Sequence, residues 1–457
     1  MFIEGGYYVE VIVLDSSIIF CHIVKRSLCL LLVLILYQAI PGNAWAQGDE
    51  GGLLVPLNPS DLATPDGQAL VHGMQYAARE DYASASLIFY GLFAESDAPD
   101  SLRFRAEYEL GKVLMRMHLY YPALYFFDGI VAYGPDHPMF IATYPWLLRL
   151  QRLLPGDTHM LDRIVQYEDF FPLQIEAKYR DQMAYSIGRH YFNRGFIDEA
   201  QSFLESVSSA SRYFGQARYL LGVSLIQRYE GQEAVDAFRS VIEWVLRSDD
   251  DDPEMRRLAE LAVLSVARTF YSTGEYGTSL RWYEQIPESS RYWLDALFES
   301  SWALFQLDEY NRALGNLHSL NSPFFDDEFY PEGIILLSVI FFRNCNYDVV
   351  REVIEEFKVS YIPFLERLSD ITSSLSQDID YYNLVRGLQG EQEHDFNSQL
   401  QELLNAAVDH RTITEGIEFV MELERQNQFI ERADPSWRDT SLGDDLLTAT
   451  GLARSVA

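Results

Sequence analysis

Sixty-eight carboxylates, nine histidines and three cysteines are the side chains of this 457-residue sequence that could move protons, ligate a metal or attack a substrate. Their spacing assembles no reaction site. There is no H-E-x-x-H for zinc, no G-x-S-x-G or S-x-x-K for an activated serine, no G-x-x-x-x-G-K for phosphate and no G-x-G-x-x-G for a dinucleotide. The histidines are scattered, and His190 and His318 sit where a helix would use them for packing or surface. A carboxylate pair cleaves a glycoside only at a fixed spatial separation, and with so many acids the sequence singles out none. The run "SDDDDPE", 248–254, has the ligand type for a divalent cation, but a solvated acidic linker is the simpler reading. No cofactor and no catalysis are expected.

Composition narrows the rest. At 48% hydrophobic and 14% aromatic residues the chain has ample apolar surface to offset the entropy of ordering. Thirty-five basic against 68 acidic residues leave a net charge of −33, which repels phosphate backbones and anionic head groups. Nucleic acid is excluded as an expected partner, and contact with a membrane is expected only through other proteins.

The first residues read as an address. Lys25 and Arg26 precede an apolar run from Leu28 to Tyr37, and Ala44-Trp45-Ala46 has the small-x-small form of a secretory cleavage site. The run is about ten residues long, against the roughly 20 that span a bilayer. A signal peptide over 1–46 is therefore expected, with translation starting near Val24, since residues 1–24 do not look like the basic head of such a signal. Cleavage removes Cys21 and Cys29 and leaves Cys345 alone, so no disulfide can form within the mature chain. An exported chain without disulfides fits the periplasm.

Helices must position whatever function remains, and they repeat. The stretch "GEYGTSLRWYEQIP", 274–287, places Gly274, Tyr276, Ser279, Tyr283 and Ile286 at offsets that recur from Glu80, Gly195, Asp308 and Cys345. A small residue stands seven places before each of these turns: Gly73, Gly188, Ala267, Ser301 and Ser338. Two further copies are anchored on Gly111 and Gly222. The anchors step by 38, 77, 34, 45, 34 and 37 residues, and the long step leaves room for a degenerate copy over Pro145–Pro172 with Met160, Ile164 and Tyr167 in its second helix.

This pattern resembles the tetratricopeptide repeat, a helix-turn-helix unit of 34 residues. The resemblance implies an all-α fold, a right-handed α-solenoid of about seven to eight hairpins with a C-terminal helical segment. The expected divisions are the signal at 1–46, a linker at 47–65, the solenoid at 66–360, a helical cap at 361–433 and a polar, poorly ordered tail at 434–457. HEAT-like helix pairs would give the same class of fold.

The resemblance also implies a binding groove, lined by the first helix of each unit at places −6, −3, +1, +4 and +5 from its small anchor. Here those places hold nine aromatics and six basic residues against two acidic ones, reversing the sign of the chain. The partner-binding residues so implied are Arg189, Arg268, Arg343, Tyr185, Tyr271, Phe342, Trp302, Arg105, Lys112 and Arg116. Some of the rings must serve the core instead. Guanidinium groups beside rings suit a peptide with acidic side chains or a free carboxylate.

The chain is thus similar to exported repeat proteins of cell-envelope machines: outer-membrane barrel assembly, peptidoglycan coordination, gliding or secretion. The unit Ser322–Asp348 is most similar to motility-associated repeat proteins. The expected function is a periplasmic scaffold that binds an envelope protein through an acidic or C-terminal segment. The alternative is a peptidoglycan- or carbohydrate-binding protein, or an accessory of a wall hydrolase, with its aromatics stacked on sugars.

Overall fold

Seven residues in the left-handed region set the architecture: Glu80, His118, Gly195, Tyr229, Gly274, Asp308 and Cys345, with φ from 57° to 82°. Each lies seven places after a small anchor. In every copy the following N–H bonds the carbonyl five residues back, from Asp81 to Tyr76 through to Asn346 to Phe341, at 2.8–3.0 Å. That closure satisfies carbonyls orphaned at the end of the first helix and reverses the chain into the second.

In six of the seven hairpins a buried ring or leucine lies sixteen places after the anchor; in the seventh that place holds Ile354, 40% exposed. A Cβ added at Gly73, Gly111 or Gly222 would come within 2.5–2.7 Å of the ring of Phe89, Phe127 or Phe238, and at Gly188 within 2.8 Å of Leu204. The backbones therefore approach as closely as the missing side chains allow. Larger anchors pair the same way: buried Ala267 with Tyr283, and Ser301 with Leu317. A second small residue, twelve places after the anchor, is fully buried in Ala85, Ala123, Ala200, Ala234, Ser279 and Ala313. Ser279 Oγ also donates to the Ala267 carbonyl at 2.8 Å. Each buried ring or leucine contributes about 1.5–3 kcal/mol.

The computed structural model describes residues 57–154, 160–167, 177–248, 252–325, 330–374, 384 and 411–456. The expected signal, with most of the linker, lies outside them, as does Asp249–Asp251. Asp252 caps the helix that follows it, accepting from Glu254 N at 2.9 Å. Among the described residues there are eight helix pairs and no strand.

Two compact units divide the chain. The first contains α1 (Pro59–Leu62), α2 (Pro65–Ala78), α3 (Tyr82–Tyr90, continued by a wider π turn at Gly91–Glu95), α4 (Asp100–Arg116), α5 (Tyr120–Tyr133), α6 (Phe140–Leu153) and α7 (Met160–Val165). In the degenerate copy, Ile164 of α7 is fully buried and Tyr167 meets Phe140 edge-on at 5.2 Å.

The second unit contains five pairs: α8 (Ala177–Asn193) with α9 (Ile197–Ser206), α10 (Phe214–Gln227) with α11 (Gly231–Arg247), α12 (Pro253–Ser272) with α13 (Tyr276–Tyr283), α14 (Trp293–Gln306) with α15 (Tyr310–Leu320), and α16 (Pro331–Arg343) with α17 (Tyr347–Ser374).

The C-terminal divisions differ from expectation. No boundary falls at 360, because α17 runs unbroken to Ser374 with Pro363 inside it. The tail expected to be polar and poorly ordered is helical: α18 (Arg411–Arg432), α19 (Pro435–Arg438) and α20 (Ser441–Val456) belong to the first unit. Its few apolar residues are spaced to bury together. Trp437, Leu442 and Leu446 are all buried, and Trp437 Nε1 donates to buried Ser86 Oγ of α3 at 2.8 Å. Tyr90 also donates to Asp445. Fully buried Gln426 accepts from Tyr121 N at 3.2 Å, and Arg425 donates to the His118 carbonyl at 2.9 Å. Side chains from the far end of the sequence thus bond one carbonyl of the α4–α5 turn and one N–H of the first turn of α5, which has no side-chain cap of its own.

Candidate functional site

The first helices of the second unit present one face whose two halves differ. Places −3 and +4 are seven residues apart, close to two full turns, so they point the same way along the helix. At −3 the side chains Tyr185, Tyr219 and Leu264 are buried, with Tyr219 OH meeting Ser265 Oγ of the next first helix at 3.1 Å, whereas Phe298 is half-buried and Ile335 is 48% exposed. At +4 the row stays in contact with solvent through all five helices. Phe192, Tyr271 and Phe305 are half-buried, and Ile226 and Phe342 are 37% and 61% exposed. An apolar row along the turn edge is therefore left uncovered.

Most of the cations expected to face a visitor already have partners. In the second unit, Arg268 makes a forked pair with Glu299 of α14, Nε to Oε2 at 2.8 Å and Nη2 to Oε1 at 2.5 Å. Tyr283 OH adds a third bond to Glu299 at 2.9 Å. Burial weakens the Arg268 charge but the Glu299 carboxylate outweighs it, so the guanidinium holds its proton more tightly than usual. In the first unit, the Glu109 carboxylate takes both Arg105, at 2.8 Å, and Lys112, at 2.9 Å. Burial raises the Glu109 pKa, yet Lys112 and Arg105 together hold it below the ordinary carboxylate range. Arg105, Lys112 and Arg268 are thus already ion-paired within the chain.

Tyr185, at 6% exposure, belongs to the core, stacked on Tyr213 at 5.6 Å. Trp302 is half-buried and meets Phe305 edge-on at 6.1 Å. Tyr271 is half-buried against Tyr276, where burial raises its pKa. The structure leaves Arg343 and Phe342 outward; Arg343 lies over the Phe305 ring at 5.9 Å and 3.9 Å from Asp308. Half-buried Arg189 lies over Tyr185 at 5.8 Å and has no ion pair among the described residues. Exposed Arg116, in the first unit, has none among them either. Asp295 has no ion pair among the described residues; it accepts from Tyr330 OH at 2.9 Å, and burial raises its pKa.

Two functional elements escaped the sequence reading. The balancing acids Glu109 and Glu299 occupy place −2, which was not among the groove places. For Glu109 the signal was present as i,i+4 and i,i+3 spacing to Arg105 and Lys112. For Glu299 it was not, since 31 residues separate it from Arg268. The second element is a turn, Ser-Arg-Tyr-aromatic, at Ser211–Phe214 and again at Ser290–Trp293. In both, the serine Oγ accepts from the tyrosine N–H, at 3.2 and 3.1 Å, and the arginine lies over the tyrosine ring.

Among the described residues no group of three or more His, Cys, Asp or Glu is placed to hold a metal ion, and no helix is long and apolar enough to cross a membrane. No family model matches the chain, and no curated protein does. Solved structures are similar in fold. A MamA double mutant is 16% identical, covering 42% of this chain and 97% of its own, with a TM-score of 0.33. A tetratricopeptide repeat protein from Parabacteroides merdae is 12% identical over 65% and 93%, with a TM-score of 0.28. NprR in complex with its cognate peptide NprX is 14% identical over 74% and 90%, at 0.29. At such scores the likeness adds no weight to the chain's own geometry. On that geometry, seven left-handed turns in one register with six buried residues at place +16, the fold is an all-α solenoid of tetratricopeptide-like helical hairpins.

Proposed function

We propose that the chain is an exported scaffold of the cell envelope that holds a segment of another protein along the turn edge of its second unit. The uncovered +4 row carries this reading. Five successive first helices keep an apolar side chain at that place, Phe192, Ile226, Tyr271, Phe305 and Phe342; second-helix tyrosines meet three of these rings, and all five still keep part of their surface in solvent among the described residues. An extended peptide laid across the helices would cover the row, its apolar side chains entering between neighbouring rings. Export rests on Lys25, Arg26, the apolar run and the Ala44-Trp45-Ala46 site. The paired state of Arg268 makes apolar anchors, rather than a line of cations, the main source of affinity.

A photo-crosslinking residue placed at 271, 305 or 342 should give adducts with an envelope protein, whereas one at fully exposed Tyr229 should not. Equal adducts at Tyr229 would refute the face. Sedimentation of the chain with purified peptidoglycan, in the absence of other proteins, would favour the wall-binding alternative instead.

A further inference from the structure

The two Ser-Arg-Tyr-aromatic turns have the same local structure, each near an acid at place −7 of the preceding first helix, Asp181 and Glu260, but only the second serine bonds that acid through its side chain. At the first, Arg212 lies over Tyr213 at 5.3 Å, Tyr213 stacks on Tyr185 at 5.6 Å with 20° between the rings, and Arg189 lies over Tyr185 at 5.8 Å. The result is a cluster, or ladder, of two stacked rings each with its own guanidinium, with neither arginine ion-paired among the described residues. At the second turn, Ser290 Oγ donates to Glu260 at 2.8 Å, and Tyr292 lies in the field of Glu260 and Asp295 as well as Arg257 and Arg291.

Register explains the difference. Place +1 of one first helix faces place −2 of the next, as Arg268 faces Glu299. Opposite Arg189 that place holds Leu220, so no built-in acid meets it. The bias extends along the unit. Residues 177–230 contain seven Lys and Arg against five Asp and Glu, whereas 231–374 contain twelve against twenty-six.

We infer that the Arg189–Tyr185–Tyr213–Arg212 ladder is the docking point for the acidic end of a peptide whose remaining length is apolar and uncharged. This rests on the peptide-binding reading of the +4 row and gives that peptide a polarity. Rings on one side of each guanidinium hold it in place and leave its N–H edges to pair with a carboxylate. A uniform polyanion such as nucleic acid does not fit, because it would be repelled by the acid excess from α11 onward.

The test uses the full chain and two fluorescein-labelled peptides followed by anisotropy. Both carry a leucine or phenylalanine at every third position; one ends in four aspartates, the other in four lysines. The aspartate peptide should bind at least roughly tenfold tighter at about 50 mM salt, with the preference shrinking at about 500 mM as charges are screened. Arg189→Glu with Arg212→Glu should abolish the preference. Arg291→Glu, in the matching turn, should change it less than about twofold. If the reversal unfolds the chain by circular dichroism, Arg189→Gln with Arg212→Gln replaces it and should still remove the preference.

Equal binding of the lysine peptide, or an equal effect of Arg291→Glu, overturns the ladder. If Tyr271→Ala with Phe305→Ala weakens both peptides while the arginine changes do nothing, the groove stands and the ladder falls. If those apolar changes have no effect, or neither peptide binds, the groove reading fails with it.

Discussion

Tyr229 is the clearest place to measure what the hairpin turn demands. It holds φ at 63° and is 97% exposed, so replacing it with glycine alters the backbone energy and removes almost no packing. A side chain in the left-handed region costs about 1–2 kcal/mol, and the extra freedom of glycine in the unfolded chain takes back about 0.5–1 kcal/mol. Tyr229→Gly should therefore stabilise the second unit by about 0.5–1 kcal/mol. Gly274→Ala should do the reverse by a similar amount, because a Cβ there meets nothing within 4 Å and only the backbone is strained. Gly222→Ala differs in kind. Its Cβ would stand 2.5 Å from the Phe238 ring, which adds about 1–3 kcal/mol of overpacking. Urea denaturation, compared at constant slope, gives the order directly. The reasoning fails if Tyr229→Gly lowers the midpoint, or if Gly274→Ala proves as damaging as Gly222→Ala.

Other outcomes follow from buried polar groups. Arg268→Met leaves Glu299 unpaired in a partly buried site and should cost about 2 kcal/mol, below the 3–5 of a fully buried pair; adding Glu299→Met should recover most of it in a double-mutant cycle. Trp437→Ala empties a buried site against α3, where Ser86 Oγ keeps its bond to the Ala83 carbonyl, and should lower the stability of the first unit by about 3–5 kcal/mol by thermal or urea melting. Two carboxyls should shift the pH profile in opposite senses. The folded-state pKa of Asp295 is raised, so its ionisation is destabilising as pH rises through that value, and Asp295→Asn should be more stable than the parent at neutral pH and equal to it in acid. Glu109 is lowered, so its contribution is present above the unfolded pKa and lost as pH falls through the folded one; Glu109→Gln should be weaker at neutral pH and flatten the acid limb of the melting profile.

The repeat was legible because its two constraints are local and written in residue size. A small anchor, a turn seven places on and a bulky residue at sixteen can be counted without coordinates, and the counted residues are those in contact in the structure. The tail was not legible for the converse reason. Trp437, Leu442 and Leu446 are sparse in a polar stretch, and their partners on α3 and α5 lie some three hundred residues away. No window of sequence holds both sides of that contact. The Ser-Arg-Tyr turns fall between these cases, since their motif is visible in the sequence but the carboxylates that distinguish them are not local.

The charge of the first-helix face depends on what balances it from within. The groove places hold an excess of cations in an acidic chain, which by itself suggests an anionic visitor. Electrostatics instead required first that each cation on a packed face be compensated from within, because an unpaired charge there is costly. Place −2 supplies that compensation, as Glu109 in the same helix as Arg105 and Lys112, and as Glu299 in the helix beyond Arg268. Once those pairs are removed, the signal becomes smaller and more specific. Arg189 stands opposite Leu220, shares a ring stack with Arg212, and lies in the part of the second unit where bases outnumber acids. An anionic partner segment would thus be selected at one end of the row by two arginines, while apolar contact along the remaining helices sets how tightly it stays.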